Sequence, residues 1–182
     1  MKNKRADIIQ AAYELFLENG YDNTSIKMIS QRADVAQGHL YNFFQGKEDL
    51  FDAVLRMAQD SYQSRMFAAV QEYAHLPAEE FAESFIDAMF ELRADACLVL
   101  SSASIPKLQH LAEPVLKEYS DSMIEMMHPL FPGLSDDLLY NIGSILLAVS
   151  DSMLVDGDKE RGIRTGVFAM KLIQSYLDDS KP

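Results

Sequence analysis

Residues 20–50 read GYDNTSIKMISQRADVAQGHLYNFFQGKEDL, and this stretch decides the fold. Thr24 or Ser25 can cap a short helix that continues to about Arg32 and buries Ile26 and Ile29. Ala33-Asp34-Val35 then makes a tight turn, because aspartate enters the left-handed region more readily than most residues. A third helix spans roughly Gln37 to Phe43, and Gly46 ends it. Upstream, a helix from about Lys4 to Glu18 puts Ile8 or Ile9, Ala12, Leu15 and Phe16 on one face, with Asn19-Gly20 as its stop. Three helices, the last two joined by a tight turn, suit a helix-turn-helix. The spacing alone is weak, since many small bundles contain such a trio.

Downstream, apolar residues recur at helical spacing almost everywhere, and no alternating run reads as a strand. A long amphipathic helix starts at Lys47 and breaks at Leu76-Pro77. Further helices are expected at about 78–100, 104–110, 112–128, 135–154 and 159–178. The expected fold is all-α: a three-helix helix-turn-helix domain over 1–46 and a larger helical domain over 47–182.

The 182 residues are 48% apolar, enough for a sizeable core. Asp7, Gln10, Glu14 and Glu18 interrupt any secretory signal after the basic start, and no apolar run reaches the roughly 18 residues of a membrane span. A soluble cytoplasmic protein with no membrane partner is expected. Cys97 is the only cysteine, which excludes an intrachain disulfide. The net charge of −12 argues against nucleic acid at first sight, but residues 1–56 carry only −1 of it and residues 57–182 carry −11.

The pattern Gly20-Tyr21-x-x-Thr24-Ser25-Ile26-x-x-Ile29, then Ala33-x-Val35-x-x-Gly38-x-Leu40-Tyr41-x-x-Phe44-x-x-Lys47-Glu48-x-Leu50, closely resembles the signature of TetR-family DNA-binding domains. It covers about residues 5–55. The physics of helix termini agrees with it: Thr24, Ser25 and the amide at Lys47 are suited to clamping phosphates. Gly38 permits close backbone approach, while Gln37, His39, Tyr41 and Asn42 project where a recognition helix meets the major groove. The resemblance implies that Tyr41 and Lys47 touch phosphates and that Gln37 and His39 lie nearer base edges. Lys2, Lys4 and Arg5 could form an accessory arm. Two departures imply modest affinity: Ala36 stands where the family usually has a capping serine, and Phe43 stands where it often has a histidine donor.

The family's general function implies a ligand-responsive repressor that binds a palindromic double-stranded DNA operator as a homodimer and leaves it on binding a small-molecule effector. No cofactor is implied. Met66, Phe85, Met89, Arg93, Tyr119 and Met123 are the expected pocket lining, with Arg93 either facing ligand or held structurally. Leu138, Ile142, Ile145, Val149 and Met153 form one apolar stripe, and Ile163, Val167, Met170, Ile173 and Leu177 another, as a dimerisation surface. The rival reading is a di-iron-like metal-binding bundle, because Glu72-x-x-His75 and Glu125-x-x-His128 have the required spacing. Both pairs sit at helix ends before proline, where histidine simply complements the dipole. No nucleophile elbow, phosphate loop or triad is present, so an enzyme is not expected.

Overall fold

The computed structural model describes residues 4–128, 131 and 133–179, apart from the side chains of residues 123, 124, 146–153, 155, 177 and 179. Among the described residues every regular element is a helix: α1 (Lys4–Asn23), α2 (Ile26–Arg32), α3 (Gln37–Leu40), α4 (Lys47–Tyr73), α5 (Ala78–Phe90), α6 (Arg93–Ala103), α7 (Gln109–Met127), α8 (Asp136–Asp156) and α9 (Lys159–Asp179). None is long and apolar enough to cross a membrane.

Local chemistry sets the N-terminal breaks. Gly20 adopts φ 75° and kinks α1 there, a conformation glycine enters without steric cost. Asp34, in the tight turn after α2, is the one described non-glycine residue with positive φ, at 51°. Ile8, Ile9, Ala12, Leu15 and Phe16 of α1 bury against Ile29, Leu40 and Phe44. That cluster continues past residue 46: Leu50, Phe51, Val54, Leu55 and Ala58 of α4 complete it, with Leu98 and Val99 of α6 and Leu108, Ala112 and Val115 around α7. A second cluster further along α4 gathers Tyr62, Met66 and Val70 with Ile86, Met89, Tyr119, Leu139, Leu154 and Ile173.

The body departs from the sequence expectation in three places. The helix expected at 78–100 is two, because Leu92 leaves helical geometry (φ −98°, ψ 16°). The reorientation lets Arg93 Nε and Cys97 Sγ both donate to the Leu154 carbonyl, at 2.5 and 3.2 Å. Nothing local marks this break, since neither proline nor glycine stands there. The helix expected at 104–110 is instead a run of turns after α6, and α7 begins at Gln109.

The third departure is the outward face of α9. Ile173 is buried, and Ile163, Val167 and Met170 are half-buried, so the expected stripe is largely spent inside the chain. Its neighbour there is α5: a β-carbon at Gly166 would come within 2.7 Å of Ile86 Cδ1, so the glycine is what lets these two helices approach so closely. The apolar residues left facing outward are Phe168, Leu172 and Tyr176 on α9, with Tyr140 and Ile145 on α8. Ile142 is buried and Leu138 half-buried; the side chains of Val149, Met153 and Leu177 lie outside those described.

Candidate nucleic-acid interface

The segment from Ala36 to Phe44 is held from beneath by Leu40 and Phe44, both buried and one helical turn apart. Only Gln37–Leu40 is α-helix, but turns continue the coil: Asn42 N–H donates to the His39 carbonyl at 3.1 Å and Phe43 N–H to the Leu40 carbonyl at 2.9 Å. With the two anchors inward, Gln37, Gly38, His39, Tyr41 and Asn42 are all exposed, Tyr41 at 51% despite its ring. Phe43 is exposed beside them, its ring edge-on to His39 at 5.3 Å. Ala36 occupies the N-cap and supplies no side-chain hydrogen bond. Gly38 has no intramolecular reason to be glycine: its φ is not positive, and a β-carbon there would meet open space.

Thr24 and Ser25, adjacent in sequence, do different work. Ser25 is exposed and caps α2, its Oγ accepting from Met28 N–H at 3.2 Å. Thr24 is only 1% exposed, and its hydroxyl lies 3.0 Å from the Leu15 carbonyl and 2.8 Å from that of Gly20. Its one proton is thus used to close the kink in α1, and the side chain faces inward. Lys47, at the start of α4, does likewise: Nζ donates to the Tyr21 carbonyl at 2.8 Å and the Thr24 carbonyl at 2.9 Å, 4.3 Å from the centre of the Tyr21 ring. Burial lowers its pKa from the ordinary lysine value. The Lys47 ammonium thus ties the start of α4 to the carbonyls at the end of α1 and just before α2.

Other cations are committed too. Arg32 meets Glu14 at 3.2 Å and Glu18 at 2.8 Å, holding α2 on α1, and its hydrogen bond to Glu18 keeps that carboxyl below the usual range. The Arg5 guanidinium lies 5.2 Å over the Phe44 ring, and Lys4 is half-buried. Lys2 lies outside the described residues.

The reading head is also tied to the body by contacts that the sequence reading missed. Tyr13 Oη donates to Asp95 Oδ1 of α6 at 2.5 Å, and burial followed by this bond raises the phenol's pKa. Lys107, in the turns before α7, pairs with Asp22 beside the α1 kink; within the body, His110 Nε2 lies 2.7 Å from Glu48 Oε1 at the start of α4. No local signal picks out Lys107 or His110, whose role depends on where the 104–108 turns land.

Of the expected ligand-facing residues, Met66, Met89 and Tyr119 are buried together in the second cluster with Phe85 packed against it. Tyr119 Oη donates to Met66 Sδ at 3.2 Å. Arg93 is half-buried, and its Nε bond to Leu154 fastens α6 to the end of α8. The side chain of Met123 lies outside those described. Glu72, His75, Glu125 and His128 are exposed, and among the described residues no three His, Cys, Asp or Glu side chains gather. The metal-bundle alternative therefore has no support in this arrangement.

Comparison with known proteins points the same way. Residues 8–54 match the family model for bacterial regulatory proteins of the tetR family. Over 77 residues the chain is 35% identical to the fatty acid metabolism regulator protein of Bacillus subtilis, covering 41% of this chain and 40% of that one. The chain thus spans about two fifths of that relative's length. A TetR-family regulator from Mesorhizobium loti shares the fold at TM-score 0.72 and 19% identity, over 95% of this chain and 96% of that one. The regulator FadR of Bacillus subtilis, solved in complex with stearoyl-CoA, does so at 0.62 and 22%, over 92% and 96%. Residues 8–54 thus carry the N-terminal domain of the tetR family, and the chain as a whole shares the fold of solved TetR-family regulators.

Proposed function

We propose that the chain is a ligand-responsive repressor: a head over 1–46 reads a palindromic operator, and a body over 47–182 pairs with a second copy and binds the effector that ends the interaction. The observation that carries this reading is the exposed ledge of Gln37, Gly38, His39, Tyr41 and Asn42 held by Leu40 and Phe44. Glycine inside an exposed helix costs up to about 1 kcal/mol relative to alanine, and the chain gains no packing in return at Gly38. Close approach of a DNA backbone gives it a use. In this reading Gln37 and His39 meet base edges and Tyr41 meets a phosphate. Ser25, the amide at Lys47 and the backbone around Thr24 meet phosphates too, while the Lys47 ammonium and the Thr24 hydroxyl hold the amides that do so.

Pairing through α8 and α9 supplies the two-fold symmetry that a palindrome needs, with half-sites about 34 Å apart. Phe168 at 67% exposure, Leu172, Tyr176, Tyr140 and Ile145 form the apolar face that a second copy would cover. The effector site lies in the second cluster around Met66, Phe85, Met89 and Tyr119, with Met123 of α7 assigned to it from the sequence. Its linings favour a small, largely apolar molecule. A relative named as a fatty acid metabolism regulator and a neighbour solved with stearoyl-CoA make acyl compounds the first to test, and the −11 charge over 57–182 favours neutral acyl compounds over a polyanionic coenzyme head. Coupling runs through α6 as well as α4: Asp95 grips Tyr13 of the head, and Arg93 and Cys97 grip the end of α8. An effector that moves α6 by differential binding alters the head and the paired helices together.

Selection of bound duplexes from a random pool, followed by anisotropy titration of the winner, tests the reading. The expected result is an imperfect palindrome bound with steep salt dependence. Enrichment of no motif, or of one without two-fold symmetry, refutes it.

A further inference from the structure

Among the described residues, one buried polar group of the body is not used by the fold. Gln59 of α4 is 7% exposed, and its Nε2 has no hydrogen-bond partner among the described residues. An amide buried without a partner is destabilising by the full cost of its desolvation, so native proteins seldom keep one without a use. Its place is informative. Leu55, Tyr62 and Met66 share its face of α4, at spacings of −4, +3 and +7, and all three are buried. Leu55 and Ala58 belong to the cluster that includes the reading head, whereas Tyr62 and Met66 belong to the cluster of the body. Gln59 therefore stands at the seam between the two.

On this part of α4, Arg56, Tyr62 and Gln63 are engaged across to α7. Arg56 meets Glu118 of α7 at 3.3 Å, Gln63 Nε2 donates to Ser122 Oγ at 2.7 Å, and the Tyr62 ring lies edge-on to Tyr119 at 6.0 Å. Only the Gln59 donor is left without an acceptor in that series. Building on the effector reading above, we infer that Gln59 is the polar anchor of the effector: its Nε2–H donates to an oxygen of a ligand that is otherwise apolar. The oxygen is a neutral acceptor, such as a ketone, ester, amide or alcohol. A carboxylate carried to a buried site and met by a single amide would keep most of its desolvation cost. The position also explains how such a ligand is felt, since a molecule held at residue 59 touches side chains of both clusters at once.

The test uses the full-length protein and a matched pair of probes, 2-nonanone and n-nonane, which differ at one carbon. Wild-type protein should bind the ketone about tenfold more tightly, the worth of one such hydrogen bond, by protein-observed NMR titration. Gln59→Met, which keeps the length of the side chain and removes the donor, should erase that preference, leave the affinity for nonane in place and raise Tm. If Met packs poorly, Gln59→Leu serves the same comparison. A ketone preference that survives both substitutions overturns the assignment, and so does failure of the ketone to bind at millimolar concentration. Operator release by the ketone is read in parallel. Binding that depends on Gln59 but leaves operator affinity unchanged breaks the effector reading and spares the anchor; release that ignores Gln59 breaks the anchor alone.

Discussion

The reading head and the body differ in one buried polar group: Asp95 and Ser102 of the body are hydrogen-bonded like the buried hydroxyls of the head, but Gln59 Nε2 has no partner among the described residues. In the head, the Thr24 and Ser30 hydroxyls end on main-chain carbonyls, those of Leu15 and Gly20 and of Lys27, and the half-buried Lys47 at the start of the body donates to those of Tyr21 and Thr24. These bonds fix two helix ends and a kink relative to one another, which suits a surface that must meet a rigid duplex in one geometry. In the body, the Gln59 amide is buried with a donor that meets no acceptor among the described residues, and Phe168, Leu172 and Tyr176 are exposed. A satisfied region has little left to give a partner. An incompletely satisfied one has free energy available for binding, so partners of this chain are expected to act on the body and to be reported by the head.

The largest effect is expected where that comparison is most exposed. Phe168→Glu with Leu172→Glu should leave a folded monomer by light scattering and weaken operator binding at least about a hundredfold, since one half-site loses the help of the other. Val167→Glu, one residue away, should instead lower Tm, because Val167 faces into the chain. Equal behaviour of the two changes would mean that α9 presents a different face.

Within the head, Thr24→Val should cost about 1–3 kcal/mol in urea denaturation, because two carbonyls at the kink lose their hydroxyl donor. Ser25→Ala removes an exposed cap and should cost about 1 kcal/mol. The reverse order would place the structural role on Ser25. Gly38→Ala separates fold from function: stability should rise by up to about 1 kcal/mol while operator affinity falls in anisotropy titrations. Unchanged affinity would remove the argument for close backbone approach there.

The smallest effect concerns the tie between the regions. The hydrogen bond from Lys107 lowers the pKa of Asp22 below its ordinary 3.8. A carboxyl whose folded value is lowered contributes stability that is present above the unfolded value and lost as pH falls through the folded one. Thermal melts of wild type and Asp22→Asn should therefore differ at neutral pH and converge below pH 3.8. A difference that persists in acid would show that the Asp22–Lys107 pair contributes through something other than charge.

The sequence alone determined what a few neighbouring residues can decide. The break at Gly20, which proves to be a kink within α1, the left-handed Asp34, a cap at Thr24 or Ser25, the missing cap at Ala36 and the buried faces of α1 and α2 follow from backbone sterics and side-chain chemistry within one or two turns. Gln59 also left a trace, a lone polar residue in the apolar series Leu55, Ala58, Tyr62 and Met66, though its unused donor did not. Tertiary structure decided the rest. An apolar periodicity states that a helix will bury a face, but α9 carries apolar residues on two, and only the close approach of α5 at Gly166 selects the one that turns inward. The break at Leu92 has no local breaker and follows from Arg93 and Cys97 reaching the end of α8. Thr24 and Lys47 carry the right chemistry for phosphate in any sequence reading; the kink in α1 sets its carbonyls within reach and draws both side chains inward. In each case the outcome depends on a partner far away in the chain, whose arrival no local pattern encodes.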